Sequence, residues 1–231
     1  MDFKTLKISI TFIALVFISE LNTKDYCGVK CIPATTHTMC KYKPNVLSQT
    51  CKAFHFRHSG LSLDEEKSIL DKHNEFREFI ASGKHSVQPA ASDLGPLKWN
   101  FEAAEIAQTW ANQCDYNNDG CRNLENNVLV GQNIGYSSSK KEQHIVNSWF
   151  NEVNNFNPKL INSFENNEGS NYTHYTQLVW ANTKEIGCGF VSYDEPFEKD
   201  LTDIVTVYYL VCNYVPAGNV IGQKVYHILN K

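Results

Sequence analysis

The chain has 231 residues, 42% of them apolar, enough for one well-buried core. Its formal net charge of −4 excludes a general electrostatic pull toward nucleic acid or acidic membranes. It carries eight cysteines, an even number that points to four disulfides in an oxidising compartment.

Lys4 and Lys7 precede an apolar run, residues 8–18, broken only by Ser9 and Thr11. A basic start and an apolar stretch of this length predict a secretory signal peptide over residues 1–23, cleaved between Ser19 and Lys24. The run is shorter than the roughly 20 residues of a membrane span. A buried N-terminal helix is the competing reading, weakened by the polar residues 20–25 that follow. Cleavage removes Asp2, Lys4, Lys7 and Glu20, two charges of each sign, so the net charge stays at −4. No second long apolar stretch follows, and a secreted, extracellular, soluble protein is expected.

Residues 24–60 hold Cys27, Cys31, Cys40 and Cys51 with Pro33, Pro44 and Gly60, and few periodic apolar positions. They are expected to be irregular and held to the body by bridges. Spacing alone leaves roughly a hundred connectivities open among eight cysteines. Cys27-x3-Cys31 is near zinc-ligand spacing, but no second such pair completes a four-ligand set. His55-Phe-Arg-His58 also looks metal-like and is read as part of the exposed, irregular segment.

A helix follows over about 62–83, opened by a capping box of Ser62 and Glu65 and stopped by Gly83. Ile69, His73, Phe76 and Ile80 give it one apolar face. His73 on that face reads as a satisfied buried histidine, with Arg77 one turn on fixing the helix to the body. Further helices are predicted over 101–114 and 140–153. Strands are predicted over 186–193 and 206–214, rich in β-branched and aromatic residues, with 128–136 as a weaker third. The acidic residues 194–203 read as a long hairpin loop, and a bridge between Cys188 and Cys212 across that hairpin is sterically natural. Trp99, Trp110, Trp149 and Trp180 are assigned to the core. The order of elements predicts a mixed, layered α+β domain.

Two C-terminal stretches are long enough to point to a family. The run from His174-Tyr-Thr-Gln-Leu-Val-Trp to Ile-Gly-Cys188-Gly resembles the first signature of the CAP family: cysteine-rich secretory proteins, antigen 5 and plant pathogenesis-related proteins. Tyr209-Leu-Val-Cys212-Asn-Tyr-Val-Pro resembles the second. His73-Asn-Glu-Phe-Arg77, Trp110-Ala-Asn-Gln-Cys114 and Gly131-Gln-Asn-Ile134 stand upstream in the order seen in insect antigen 5. The Tyr26-Cys-Gly-Val-Lys-Cys31 stretch with His37-Thr-Met-Cys40 is similar to the venom allergen 5 extension.

The resemblance implies an α–β–α sandwich around a small antiparallel sheet, with residues 24–60 as an N-terminal extension and 61–231 as the CAP domain. It also implies the pairs Cys27–Cys40, Cys31–Cys121, Cys51–Cys114 and Cys188–Cys212, which leave no free thiol for Cys–His catalysis. Many CAP proteins carry two His and two Glu in a central cleft. The corresponding positions here are Asn118, Gln132, Glu152 and His174. Zinc favours imidazole, thiolate and carboxylate, three or four together, and amides cannot act as general acids or bases. A structural Glu152–His174 pair is therefore expected, with neither a catalytic group nor a cofactor. Weak divalent metal binding or metal-dependent hydrolysis through Glu152 and His174 stands as the alternative.

No serine environment supports a protease: Ser170 and Ser192 lie near the first signature without an activating neighbourhood. Asn171-Tyr-Thr is the mature chain's glycosylation sequon. By resemblance, the expected protein is a secreted, monomeric, non-enzymatic antigen 5-like protein of venom or saliva. Its expected partners are a small lipid or sterol in a groove between helices and host immunoglobulin, with no nucleic acid. A channel-blocking role is disfavoured, because the branch that has it carries a further cysteine-rich domain after the second signature.

Overall fold

The computed structural model describes residues 24–139, 142–167, 169–196 and 204–230. The signal-peptide segment 1–23 lies outside the described residues. Two long strands, β4 (Glu185–Pro196) and β5 (Ile204–Val215), form an antiparallel hairpin at the centre of the sheet. Their register sets Cys188 opposite Cys212, and the two are bridged. Strand β3 (Gly131–Ser137) pairs antiparallel with β5, while β1 (His55–Ser59) pairs antiparallel with β4. A two-residue β2 (Lys98–Trp99) adds a short parallel pairing to β4. The hairpin ladder is longer than the sequence predicts. Residues 194–196 are strand rather than loop, and Asp194 accepts from Arg57 Nε at 2.6 Å and from the Thr206 hydroxyl at 2.7 Å. The rest of the expected hairpin loop, 197–203, lies outside the described residues.

Side chains alternate across this hairpin, so each face meets a different helical layer. Ile186, Cys188, Phe190, Leu210, Cys212 and Tyr214 face a core shared with α3 (Leu63–Ala81), α5 (Glu142–Asn151) and α6 (Thr173–Leu178). Val191, Tyr193, Tyr209 and Val211 face α4 (Phe101–Ala111). Gly187 and Gly189 lie under α4 so closely that a Cβ at either would strike the helix backbone. The helix packs flat on β4 because both positions lack a side chain. The result is an α+β sandwich with a helical layer on each side of a mainly antiparallel sheet.

Helix α3 begins as its sequence predicts. The Ser62 side chain accepts from the Glu65 N–H, and Glu65 accepts from the Ser62 N–H at 2.8 Å. Its buried face carries Ile69, His73, Arg77 and Ile80. Trp110, Trp149 and Trp180 are buried, and Trp99 is half-buried against the same core as Trp149 and Trp180. Helix α4 ends earlier than expected, at Ala111, and Cys114 takes a left-handed backbone, φ 52°.

The N-terminal segment is less irregular than its composition implies. Short helices α1 (Thr38–Lys41) and α2 (Gln49–Ala53) lead into edge strand β1. The His55-Phe-Arg-His58 motif is therefore strand, exposed as expected, with a register shift between Phe56 and His58. Pairing with β4 supplies order that local hydrophobic periodicity does not reveal. Disulfides join Cys27 to Cys40, Cys31 to Cys121 and Cys51 to Cys114. The last two tie the segment to the stretch just after α4. In the chain-entropy view, each bridge contributes about 2–4 kcal/mol by restricting the unfolded chain.

Candidate functional site

Glu152 and His174 come from separate elements. Helix α5 tightens after Asn151 into a 3₁₀ turn, Glu152–Asn155, which aims the Glu152 carboxylate at the start of α6. Oε1 accepts from His174 Nδ1 at 2.6 Å, and Oε2 accepts from the His174 N–H at 2.9 Å and the Tyr175 N–H at 3.3 Å. A helix leaves its first N–H groups without intrahelical partners, and Tyr172 at the N-cap contributes no side-chain bond. Glu152 thus caps α6 while fixing the imidazole. With Nδ1 donating, a neutral His174 keeps Nε2 as an acceptor.

The pair has a firm backing. The His174 ring stacks on Trp149, 6.0 Å between centroids, and the Trp149 indole donates to the Ile134 carbonyl at 3.3 Å. Behind them runs a chain of hydrogen bonds from α3 to α6. His73 donates from Nδ1 to the Ile69 carbonyl at 2.8 Å, so its Nε2 accepts from the Tyr214 hydroxyl, also at 2.8 Å. Tyr214 in turn accepts from Asn133 Nδ2 at 3.1 Å, and the same amide donates to the His174 carbonyl at 3.0 Å. Burial pushes the His73 pKa down to about 4, which keeps the ring neutral and the donor order fixed. Arg77 donates to the carbonyls of Gly95, Leu178, Trp180 and Thr183, tying α3 to the segment that follows α6.

Asn118 and Gln132 form the other half. Asn118 Nδ2 donates to Gln132 Oε1 at 2.9 Å, and Gln132 Nε2 donates to Asn213 Oδ1 at 3.0 Å. Asn213 continues the line by donating to the Ala103 carbonyl at 3.1 Å. Asn118, Glu152 and His174 line one cleft of about 400 Å³, together with Tyr116, Tyr136 and Trp149. Gln132 sits behind Asn118 and does not line it. Among the described residues, no three His, Cys, Asp or Glu side chains are gathered as a metal site would need.

Asn133, Trp149 and Tyr214 support the site, and nothing local in the sequence marks them for that role. Asn133 adjoins Gln132 in the Gly131-Gln-Asn-Ile134 motif, and Tyr214 lies inside the second C-terminal stretch. Membership of those motifs is the signal that could find them. Helix α6 lies in the first C-terminal stretch but has no periodic signal of its own, because Tyr175, Thr176, Gln177 and Leu178 are all buried and leave no amphipathic stripe to read. Asn171 is exposed, three residues before His174. Ser192 is buried in β4 and Ser170 lies in the loop before α6.

A family model, the cysteine-rich secretory protein family (CAP), matches residues 70–214. The chain belongs to the CAP family. Among its relatives, venom allergen 5.01 of Dolichovespula maculata is 41% identical over 94% of this chain and 95% of its own length. The Schistosoma mansoni venom allergen-like protein 4 structure superposes with a TM-score of 0.55 at 26% identity, covering 74% of this chain and 97% of that one. The crystal structure of NaASP2 with Zn2+ gives a TM-score of 0.56 at 25% identity, over 74% and 89% of the two chains. The molecule is thus a CAP protein similar to venom allergen 5. No helix among its described residues is long and apolar enough to cross a membrane.

Proposed function

We propose that this CAP protein is secreted and non-enzymatic, and that its Glu152–His174 pair orders the cleft rather than performing hydrolysis. The carrying observation is the use of Glu152: Oε2 caps α6 by accepting from the His174 and Tyr175 N–H groups, and Oε1 holds the His174 ring at Nδ1. A general base needs a free lone pair within reach of a substrate proton, and here the capping role competes for it. Asn118 and Gln132, bonded to one another, are neutral amides that do not titrate. One carboxylate and one imidazole fall short of the three or four good ligands zinc favours. Four disulfides and the venom allergen relatives support secretion.

On this reading the protein is an antigen 5-like component of venom or saliva and an allergen bound by host immunoglobulin. A small lipid or sterol would be carried between helices, and the exposed Asn171 would hold a glycan at the cleft rim. The test combines elemental analysis of purified protein with ester and peptide hydrolysis assays, with and without chelator. Metal-free protein, inert under both conditions, is the expected result. A stoichiometric metal whose removal abolishes hydrolysis would establish the alternative, a metal-dependent hydrolase built on Glu152 and His174. Organic extraction followed by mass spectrometry tests the lipid: protein that carries none and takes up none on titration defeats that part.

A further inference from the structure

The donors and acceptors of the cleft are unevenly spent. One N–H of Asn118 Nδ2 is committed to Gln132, and the Ser148 hydroxyl donates to the Ile145 carbonyl at 2.7 Å. His174 Nδ1 is committed to Glu152. The Tyr116 hydroxyl is tied to Tyr193 and lies 3.4 Å from both Glu195 carboxylate oxygens. Asn118 Oδ1, the one lone pair left on Glu152 Oε1 and, on a neutral ring, His174 Nε2 are acceptors. None of the described lining residues is lysine or arginine. The cleft therefore presents one carboxylate and no cationic side chain, with the second Asn118 N–H and the Tyr136 hydroxyl as donors, and suits a positive guest.

Its walls add a second feature. Tyr136 stands at the cleft 68% exposed and meets Tyr116 edge-on, 5.3 Å between centroids. Tyr116 is 42% exposed and is braced from the other side by Tyr209, 5.5 Å away. Large aromatic side chains left in water beside a carboxylate are the elements of a cation–π site. The cleft volume, about 400 Å³, is within the range of small-molecule sites.

We propose that this cleft binds an organic monocation, an ammonium group on a compact apolar body. The ammonium would meet the acceptors of Glu152, His174 and Asn118, while its body lies against Tyr116 and Tyr136. A single carboxylate balances one positive charge, whereas a bare dication needs more anionic ligands than the cleft offers. The proposal rests on the metal-free reading of the cleft given above.

Isothermal titration of chelator-treated full-length mature protein with two probes of the same shape and opposite charge tests it. Phenethylammonium should bind, and 3-phenylpropionate should bind about tenfold more weakly or not at all. Tyr136→Ala should weaken phenethylammonium about fivefold, and Glu152→Gln about tenfold. Because Glu152 also caps α6, that variant is first checked for its melting transition. If it does not fold, the probe pair and Tyr136→Ala still decide the matter. Equal binding of both probes, or no change in Tyr136→Ala, overturns the proposal. Elemental analysis before chelator treatment separates the two readings. Metal bound stoichiometrically at the cleft would overturn the earlier one, whereas metal-free protein indifferent to phenethylammonium overturns this one alone.

Discussion

In one half of the cleft, Glu152 and His174 form an ionisable pair set against Trp149 and the His73–Tyr214–Asn133 chain. In the other half, the neutral Asn118 lines the cleft and is backed by Gln132, which donates to Asn213 on the central strand. Both halves are held by hydrogen bonds that reach from side chain to strand or helix. The amides offer bonding partners that a histidine and a carboxylate could also offer, but they supply no charge and no titrating proton. On the proposed reading, shape and chemistry have been separated: the frame of a CAP cleft persists while half of its ligand capacity is gone.

The largest effect is expected behind the ionisable half. Arg77 is buried against four carbonyls, so Arg77→Ala leaves those acceptors bare and should lower unfolding free energy by about 3–5 kcal/mol. Chemical denaturation reads this directly, and a loss below about 1 kcal/mol would show that α3 is held by its apolar face alone.

Acid should act next through His73. Its folded pKa is about 4, below the ordinary value of 6.5. The unfolded chain therefore binds the proton first as pH falls. The stability contributed by the neutral buried ring is intact above about pH 6.5 and is lost between there and pH 4, about 3 kcal/mol in all. Comparing denaturation at pH 7 and pH 4 in the wild type and His73→Gln isolates this contribution from the carboxylates. The variant should lack that part of the slope, and identical slopes would mean the ring is not the buried base described.

Removing one atom from the chain of hydrogen bonds should cost less. Tyr214→Phe strips the hydroxyl that donates to His73 and accepts from Asn133. A loss of about 2 kcal/mol is expected for the buried groups left unpaired, with the His174 resonances shifted in NMR spectra because Asn133 also holds the His174 carbonyl. In the amide half, Asn118→Ala removes a bond at an exposed residue. It should change stability by about 0.5 kcal/mol or less, so an effect as large as that of Tyr214→Phe would break the contrast between the halves.

Much of this contrast is legible in the sequence. The capping box of α3, the apolar faces and the β-branched strands announce themselves through periodicity, because each element meets the core on one side. Asn118 and Gln132 are readable only through neighbouring motifs, since nothing local marks either amide for a place at the cleft. Strand β1 and helix α6 are hidden for physical reasons: the first is ordered by pairing with β4, and the second is buried over most of its length and capped by a carboxylate 22 residues away. The double duty of Glu152, cap and imidazole partner, is a tertiary fact that no spacing rule contains.

The most direct test places titratable ligands at the two amide positions. Zinc binding is measured by calorimetry for the wild type and for the double variant Asn118→His with Gln132→Glu, which supplies a second imidazole and a second carboxylate. The double variant should bind zinc at least about a hundredfold more tightly, because two good ligands become four. Wild-type binding as tight as that of the double variant would contradict the proposed reading, since Glu152 and His174 would then suffice and the amides would have cost the cleft nothing.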